Sequence, residues 1–187
     1  MLLPNYNASS ASRLSHWQRV CICLLACSSL LLSPSSWALA SDRQQPLKIS
    51  ADSAEFNDGE GFSIYNGNVI MTQGTMVIKA SSVKVTFNDD GIQTMLVTDG
   101  LHDGLAYMRQ QSEPTEGEQI DIMEVWGKSI EYQINAEYLT ILGSAKLIQR
   151  GNQFSGNTIL FDMPKDNVKA TGDEGKRVEI IFLPKSN

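Results

Sequence analysis

The sequence predicts an all-β, mostly antiparallel fold, and three observations carry that expectation. Apolar and polar residues alternate with period 2 through most of the chain after position 45, the pattern of half-buried strands. Asn-Gly and Asp-Gly clusters separate the alternating runs and supply the positive φ angles of tight strand reversals. A six-residue phrase, small-x-Ser/Thr-apolar-x-apolar, opens at Ala51, Ala80, Gly127 and Gly156, at intervals of 29, 47 and 29 residues. The second pair thus repeats the first at an offset of 76, which also superposes Ser53 on Ser129, Glu55 on Glu131, Phe56 on Tyr132, Gly67 on Gly143 and Gln73 on Gln149. Gap-free matching over that span is the signature of an internal duplication.

In chain order, the strands expected in the first half are Leu47 to Ile49, Phe62 to Ile64, Val69 to Met71, Met76 to Lys79 and Val83 to Phe87. In the second half they are Ile130 to Ile134, Tyr138 to Leu142, Ala145 to Leu147, Ile159 to Phe161 and Val178 to Leu183. Turns are expected at Asn57-Asp58-Gly59, Tyr65 to Asn68, Gln73-Gly74, Asn88 to Gly91, Arg150 to Asn152 and Thr171 to Asp173. Arg109 to Asp121, poor in apolar residues and containing Pro114, reads as a loop between the halves, with Glu113, Glu116 and Glu118 at its solvated tip.

Strands this short cannot bury their apolar faces alone, so they are expected to stack as rungs around one apolar channel or core. The small residue of each phrase would let the chain turn a corner, and the Ser or Thr two positions later would satisfy backbone groups there. Alternation places Met76, Ile78, Val83, Val85 and Phe87 inside, with Val77, Lys79, Lys84 and Thr86 outside. It likewise turns Ile130, Tyr132 and Ile134 in and Glu131 and Gln133 out, while Tyr138 to Leu142 has apolar residues on both parities.

The first forty residues have the organisation of a cleavable secretory signal: Arg13, His16 and Arg19, an apolar run from Val20 to Leu32, then Ala38-Leu39-Ala40. That run is shorter than the roughly 20 residues of a membrane-spanning helix. Leu24-Leu25-Ala26-Cys27 has the form of a lipoprotein cleavage box, but the apolar run continues beyond it. Cys21, Cys23 and Cys27 all precede position 40, so the processed chain would hold no disulfide, thiol nucleophile or thiolate metal site. The leader contains two basic residues and no acidic one, leaving 21 acidic against 13 basic residues and a formal charge of −8. Such a surface repels nucleic acid and anionic headgroups at long range.

Several ordered segments carry a family resemblance: Gln45-Pro46-Leu47-Lys48-Ile49, Gly67-Asn68-Val69-Ile70-Met71-Thr72-Gln73-Gly74, Leu142-Gly143-Ser144-Ala145 and Gly175-Lys176-Arg177-Val178. Over nearly all of Gln45 to Leu183 the chain resembles the OstA-like family of lipopolysaccharide transport. The resemblance implies one open-ended antiparallel β-jelly roll over 41–187, located in the periplasm. It further implies binding of lipopolysaccharide with the lipid A acyl chains shielded inside. Head-to-tail contacts are implied with other copies, with LptC on the inner-membrane side and with LptD on the outer. The chain departs from the family near His102 to Tyr107, where a Gly-x-Pro-Ala segment is expected and the proline is missing.

Burial of each CH₂ contributes about 0.8 kcal/mol, so an apolar trough can hold acyl chains against unfavourable headgroup electrostatics without any reactive side chain. The expected lipid-binding residues of the first half are Leu47, Ile49, Phe56, Ile64, Met76 and Ile78, continued by Val83 and Val85. Tyr107, Ile130, Tyr132 and Ile134 complete the lining. Any one of them could instead simply pack a closed core. The first and last strands would expose unpaired backbone at opposite ends, making Leu47, Ile49, Val178, Ile180 and Phe182 the expected partner-binding residues.

Catalytic groups are scarce. After the leader there is one histidine, His102, beside Asp103 in a turn, and the adjacent Asp89 and Asp90 are turn carboxylates that ordinarily face water. Neither catalytic residues, a metal site nor a cofactor is expected. A carbohydrate-acting hydrolase using two carboxylates is one alternative, though spacing selects no pair. An eight-stranded outer-membrane barrel is the other, disfavoured by short strands and charged outward positions.

Overall fold

The computed structural model describes residues 42–100, 104–111, 120–175 and 177–184. The leader with its three cysteines, His102 and Asp103, and Glu113, Glu116 and Glu118 lie outside these residues. The first half contains β1 (Lys48–Ser50), β2 (Ser53–Asn57), β3 (Phe62–Gln73), β4 (Met76–Asn88), β5 (Gly91–Thr98) and β6 (Ala106–Gln111). The second contains β7 (Ile122–Gly127), β8 (Ser129–Gln133), β9 (Tyr138–Gln149), β10 (Asn152–Asp162), β11 (Asn167–Thr171) and β12 (Glu179–Ile181).

Four long strands build the roll by running through both of its layers. Along Phe62 to Asn66, β3 pairs with β2, and along Ile70 to Thr72 with β1. Further on, β4 meets β6 through Val77 to Lys79 and β5 through Ser82 to Asn88. The second half repeats the plan, β9 pairing with β8 and β7, and β10 with β11 and β12. Because β5 also pairs with β8 and β6 with β7, the halves join in both layers. One layer therefore runs β2-β3-β4-β5-β8-β9-β10-β11 and the other β1-β3-β4-β6-β7-β9-β10-β12, with all pairs antiparallel.

The duplication survives as register. Ile49 opposite Met71 recurs as Val125 opposite Leu147, and Gln73 opposite Met76 as Gln149 opposite Asn152, each shifted by 76. At the bend of β3, Gly67 (φ 79°) and Asn68 (φ 48°) match Gly143 (φ 72°) and Ser144 (φ 52°) in β9. These left-handed residues produce bulges that carry one strand from the first layer into the second.

The repeated phrases mark the corners. Ala51 separates β1 from β2, Gly127 ends β7 just before β8, and Ala80 and Gly156 lie where β4 and β10 change layers. A Cβ on Gly127 would stand 2.6 Å from the Ile141 side chain, and one on Gly156 2.8 Å from the Thr171 carbonyl. Small residues are there because a second chain crosses at close range. In the second phrase it is Ser81, next to the expected position, whose hydroxyl donates to the Gly100 carbonyl (2.9 Å), while the Ser82 hydroxyl meets the Asn66 side chain.

Several expectations are corrected. Tyr65 to Asn68 is no strand reversal but a bulge inside β3, since its two left-handed residues bend the strand without turning it back. The runs Met76 to Lys79 and Val83 to Phe87 are likewise one strand, so the longest elements reach 12 and 13 residues rather than the short strands expected. Arg109 to Gln111 are no loop: they continue β6 opposite Glu124, Met123 and Ile122. The last strand shortens to Glu179–Ile181.

The core lies between the layers. Met71, Ile78, Val83 and Met95 from the first half pack with Ile130, Ile141, Leu147, Ile159 and Phe161 from the second, all buried. In the undecided strand, Leu139 and Ile141 face in, while Tyr138, Thr140 and Leu142 do not.

Candidate functional site

Among the described residues, most of the expected lipid-binding side chains converge on the apolar interior. Met76, Ile78, Val83, Val85, Ile130 and Tyr132 are buried in it, and Leu47, Ile49 and Ile134 are half-buried against it. Two expected lining residues are not there. Ile64 stands between Glu55 and Lys84 on the outer face, because Ser63 and Tyr65 take the inward parity of β3 opposite Val85 and Val83. Tyr107 is also turned out: Ala106, Met108 and Gln110 are the buried residues of β6, which sets Tyr107 opposite the outward Lys79.

Tyr107 joins an outer cluster instead. Its ring lies 5.3 Å from that of Trp126, over which the Lys146 ammonium sits at 5.1 Å, and its hydroxyl donates to Glu124 (2.7 Å). Burial, reinforced by that carboxylate, pushes the Tyr107 hydroxyl up to about 12.

Phe56 is a mixed case. It pairs with the inward Ser63, which pairs with Val85, so its parity is inward. Nevertheless it is 68% exposed and stacks on Phe87 at 5.2 Å, because β2 is an edge strand with no neighbour beyond it among the described residues. The interior therefore runs out to an uncovered aromatic lip at one end. At the other end β12 pairs only with β10, leaving Ile180 46% and Phe182 67% exposed, with Phe182 set edge-on to Phe154 (6.1 Å). Val178 beside them is half-buried.

Along the side, where the hairpin turns of the two layers face one another, polar groups bridge the gap. Asp42, though buried, accepts from the Thr75 amide (2.9 Å), the Thr75 hydroxyl (2.6 Å) and the Gln110 side chain (3.2 Å). The neighbouring Arg43 donates across to the Ile134 carbonyl (2.7 Å) and to Glu137 (3.0 Å). Beneath them lies a cavity of about 20 Å³ lined by Met76, Met95, Gln110, Tyr132 and Ile134. The Tyr132 hydroxyl faces Arg43 there, and among the described residues no group meets it in hydrogen-bonding geometry. Burial raises its pKa, against the opposing pull of Arg43. Further along, Arg150 binds Asp166 (2.6 Å) and Asp121 (2.8 Å), and Gln149 donates to Asp166 (3.0 Å).

Sequence reasoning missed Asp42 and Arg43, which precede the first strand and carry no periodic signal. It also missed the inward Met108, Val125, Leu147 and Met163. For Met108 and Val125 the signal existed, as alternation in Ala106 to Gln110 and in Met123 to Gly127. Among the described residues no three His, Cys, Asp or Glu side chains converge as a metal site.

The family described as LptA/(LptD N-terminal domain) LPS transport protein matches residues 48–167. The lipopolysaccharide export system protein LptH of Pseudomonas aeruginosa is 31% identical over 155 residues, covering 79% of this chain and 85% of that protein. LptA of Escherichia coli K12 is 29% identical over 163 residues, covering 86% and 83%. The crystal structure of LptH, described as the LptA-homologous periplasmic component of a lipopolysaccharide transport device, superposes with a TM-score of 0.65 at 29% identity. It covers 77% of this chain and 99% of that one.

Proposed function

Because the chain belongs to the LptA/(LptD N-terminal domain) family of LPS transport proteins, we propose that it is a periplasmic carrier of lipopolysaccharide. The lipid A acyl chains enter the interior between the two layers, while sugars and phosphates stay toward water. Related domains join it head to tail, LptC on the inner-membrane side and LptD on the outer, with further copies of the chain between them.

The observation that carries this reading is the contrast between the two kinds of edge. Inside the molecule, the β5 and β6 edge of the first half is covered by β8 and β7 of the second. By duplication, β11 and β12 are the counterparts of β5 and β6, while β1 and β2 correspond to β7 and β8. A second copy that set its β1 and β2 against β12 and β11 would repeat the internal junction and extend the apolar interior. Such a contact is heterologous and does not close. Transport of this kind needs no bond to be made or broken.

The open edges also weigh against a membrane barrel, which must close to satisfy its backbone. Strand length does not, since β3, β4, β9 and β10 are long enough to span. For a test, purified protein is incubated with lipopolysaccharide and run on a sizing column. Co-elution of lipid is expected, and Ile180→Asp should abolish oligomers while leaving the monomer folded. No lipid in the protein peak overturns the carrier reading, and persisting oligomers of Ile180→Asp move the contact elsewhere.

A further inference from the structure

We infer that Asp42 to Gln45 is a strap that holds the two layers together along one side, and that its release from the second half admits an acyl chain. The inference rests on the carrier reading above and concerns how the interior is opened.

The strap is fixed at one end and loosely held at the other. On the first half, buried Asp42 accepts three hydrogen bonds from Thr75 and Gln110, and the Gln73 side chain donates to the backbone carbonyls of Arg43 (3.3 Å) and Gln45 (3.0 Å). Gly74 lies so close beneath the Asp42 carboxylate that a Cβ there would collide with it. Among the described residues, the hold on the second half is the Arg43 guanidinium, on the Ile134 carbonyl and Glu137, with both side chains in reach of solvent. A charge pair exposed to water exchanges readily, whereas a buried carboxylate with three donors does not. The geometry is that of a hinge and a latch.

What lies underneath gives the latch a purpose. The space between Met76, Met95, Tyr132 and Ile134 holds about 20 Å³, room for roughly one water and not for an acyl chain. Core side chains packed this closely do not yield a chain-sized space unless the layers part. Arg43 is the group that spans them at this point. The orphaned Tyr132 hydroxyl then finds itself at the mouth, where the ester and amide carbonyls of lipid A acyl chains would accept from it. Arg43, Asp42 and Glu137 are thus positioning residues for loading, and Tyr132 is a contact of the loaded state.

The test uses stopped-flow uptake of fluorescently labelled lipopolysaccharide by the purified protein. Arg43→Ala should raise the loading rate roughly tenfold, the size of one lost charge-assisted hydrogen bond in the closed, empty state, and tighten binding by a similar factor, with the release rate changed far less. Glu137→Gln should move the loading rate and the affinity the same way by a smaller factor, and it decides the matter if Arg43→Ala melts. Lys165→Ala, which breaks an ion pair to Asp162 within a single turn, serves as control. Unchanged or slower loading in both variants, with the unaltered protein binding normally, overturns the strap. No binding by the unaltered protein overturns the carrier reading beneath it.

Discussion

Phe56 and Tyr132 hold the same place in the two halves of the duplication, 76 residues apart and on the same inward parity, yet Phe56 is 68% exposed and Tyr132 is 3% exposed. Their strands differ in cover: β8 has β5 on its far side, and β2 has no such neighbour among the described residues. The second half therefore displays the first in its covered state. An edge that carries a core aromatic is a core strand lacking its neighbour, and under the head-to-tail assembly proposed above that neighbour is a strand of a like domain.

The largest effect that could break this comparison is on stability. Tyr132→Ala should cost about 3–5 kcal/mol in a urea titration, as for large aromatics removed from cores. In isolated monomer, Phe56→Ala should stay within about 0.5 kcal/mol, the range of surface changes. Equal losses would mean that the two halves are not equivalent sites in different states of cover.

The bends sharpen it at a smaller scale. Alanine at Gly67 or Gly143 must adopt a left-handed backbone, which costs about 1–2 kcal/mol at each. Gly67→Ala should cost about 1 kcal/mol more, because its methyl displaces the Asp52 carboxylate that accepts from Asn68 (2.9 Å), whereas at Gly143 only the flexible Lys128 stem must yield. Thermal melts of the two variants should rank in that order.

The smallest effect separates the inward tyrosine from the outward one. The folded protein holds the Tyr107 proton more tightly than the unfolded chain does, with a pKa of about 12 against an ordinary 10.0. Its contribution to stability is therefore complete below pH 10 and is lost as pH rises from 10 towards 12. Ultraviolet titration should show Glu124→Gln lowering that pKa, since the carboxylate that accepts the hydroxyl proton is gone.

How much of this was legible in the sequence follows from what encodes each feature. Alternation and the offset of 76 revealed the class, the duplication and the inward face of β4 and β8, because one parity there is apolar and the other charged. The same signal failed at Ile64, where Ser63 takes the core position and an apolar residue faces out. The Asn-Gly pair at Asn66-Gly67 has the chemistry of a hairpin turn and was used for a bulge, since both need positive φ and only tertiary pairing distinguishes them. Tyr107 could not be placed by analogy, because the departure from the family pattern lies just before it. The strap left no trace: Asp42 and Arg43 act through side-chain hydrogen bonds to partners 30 and more residues away.

The central claim is that the face buried between the layers is the face that meets lipid. Photo-crosslinking residues placed singly at Ile78 and Tyr132, inward and buried, and at Lys79 and Gln133, outward and exposed, test it most directly. In the presence of lipopolysaccharide, adducts confined to positions 78 and 132 are the predicted result. Equal labelling of all four positions, or labelling confined to 79 and 133, would contradict it.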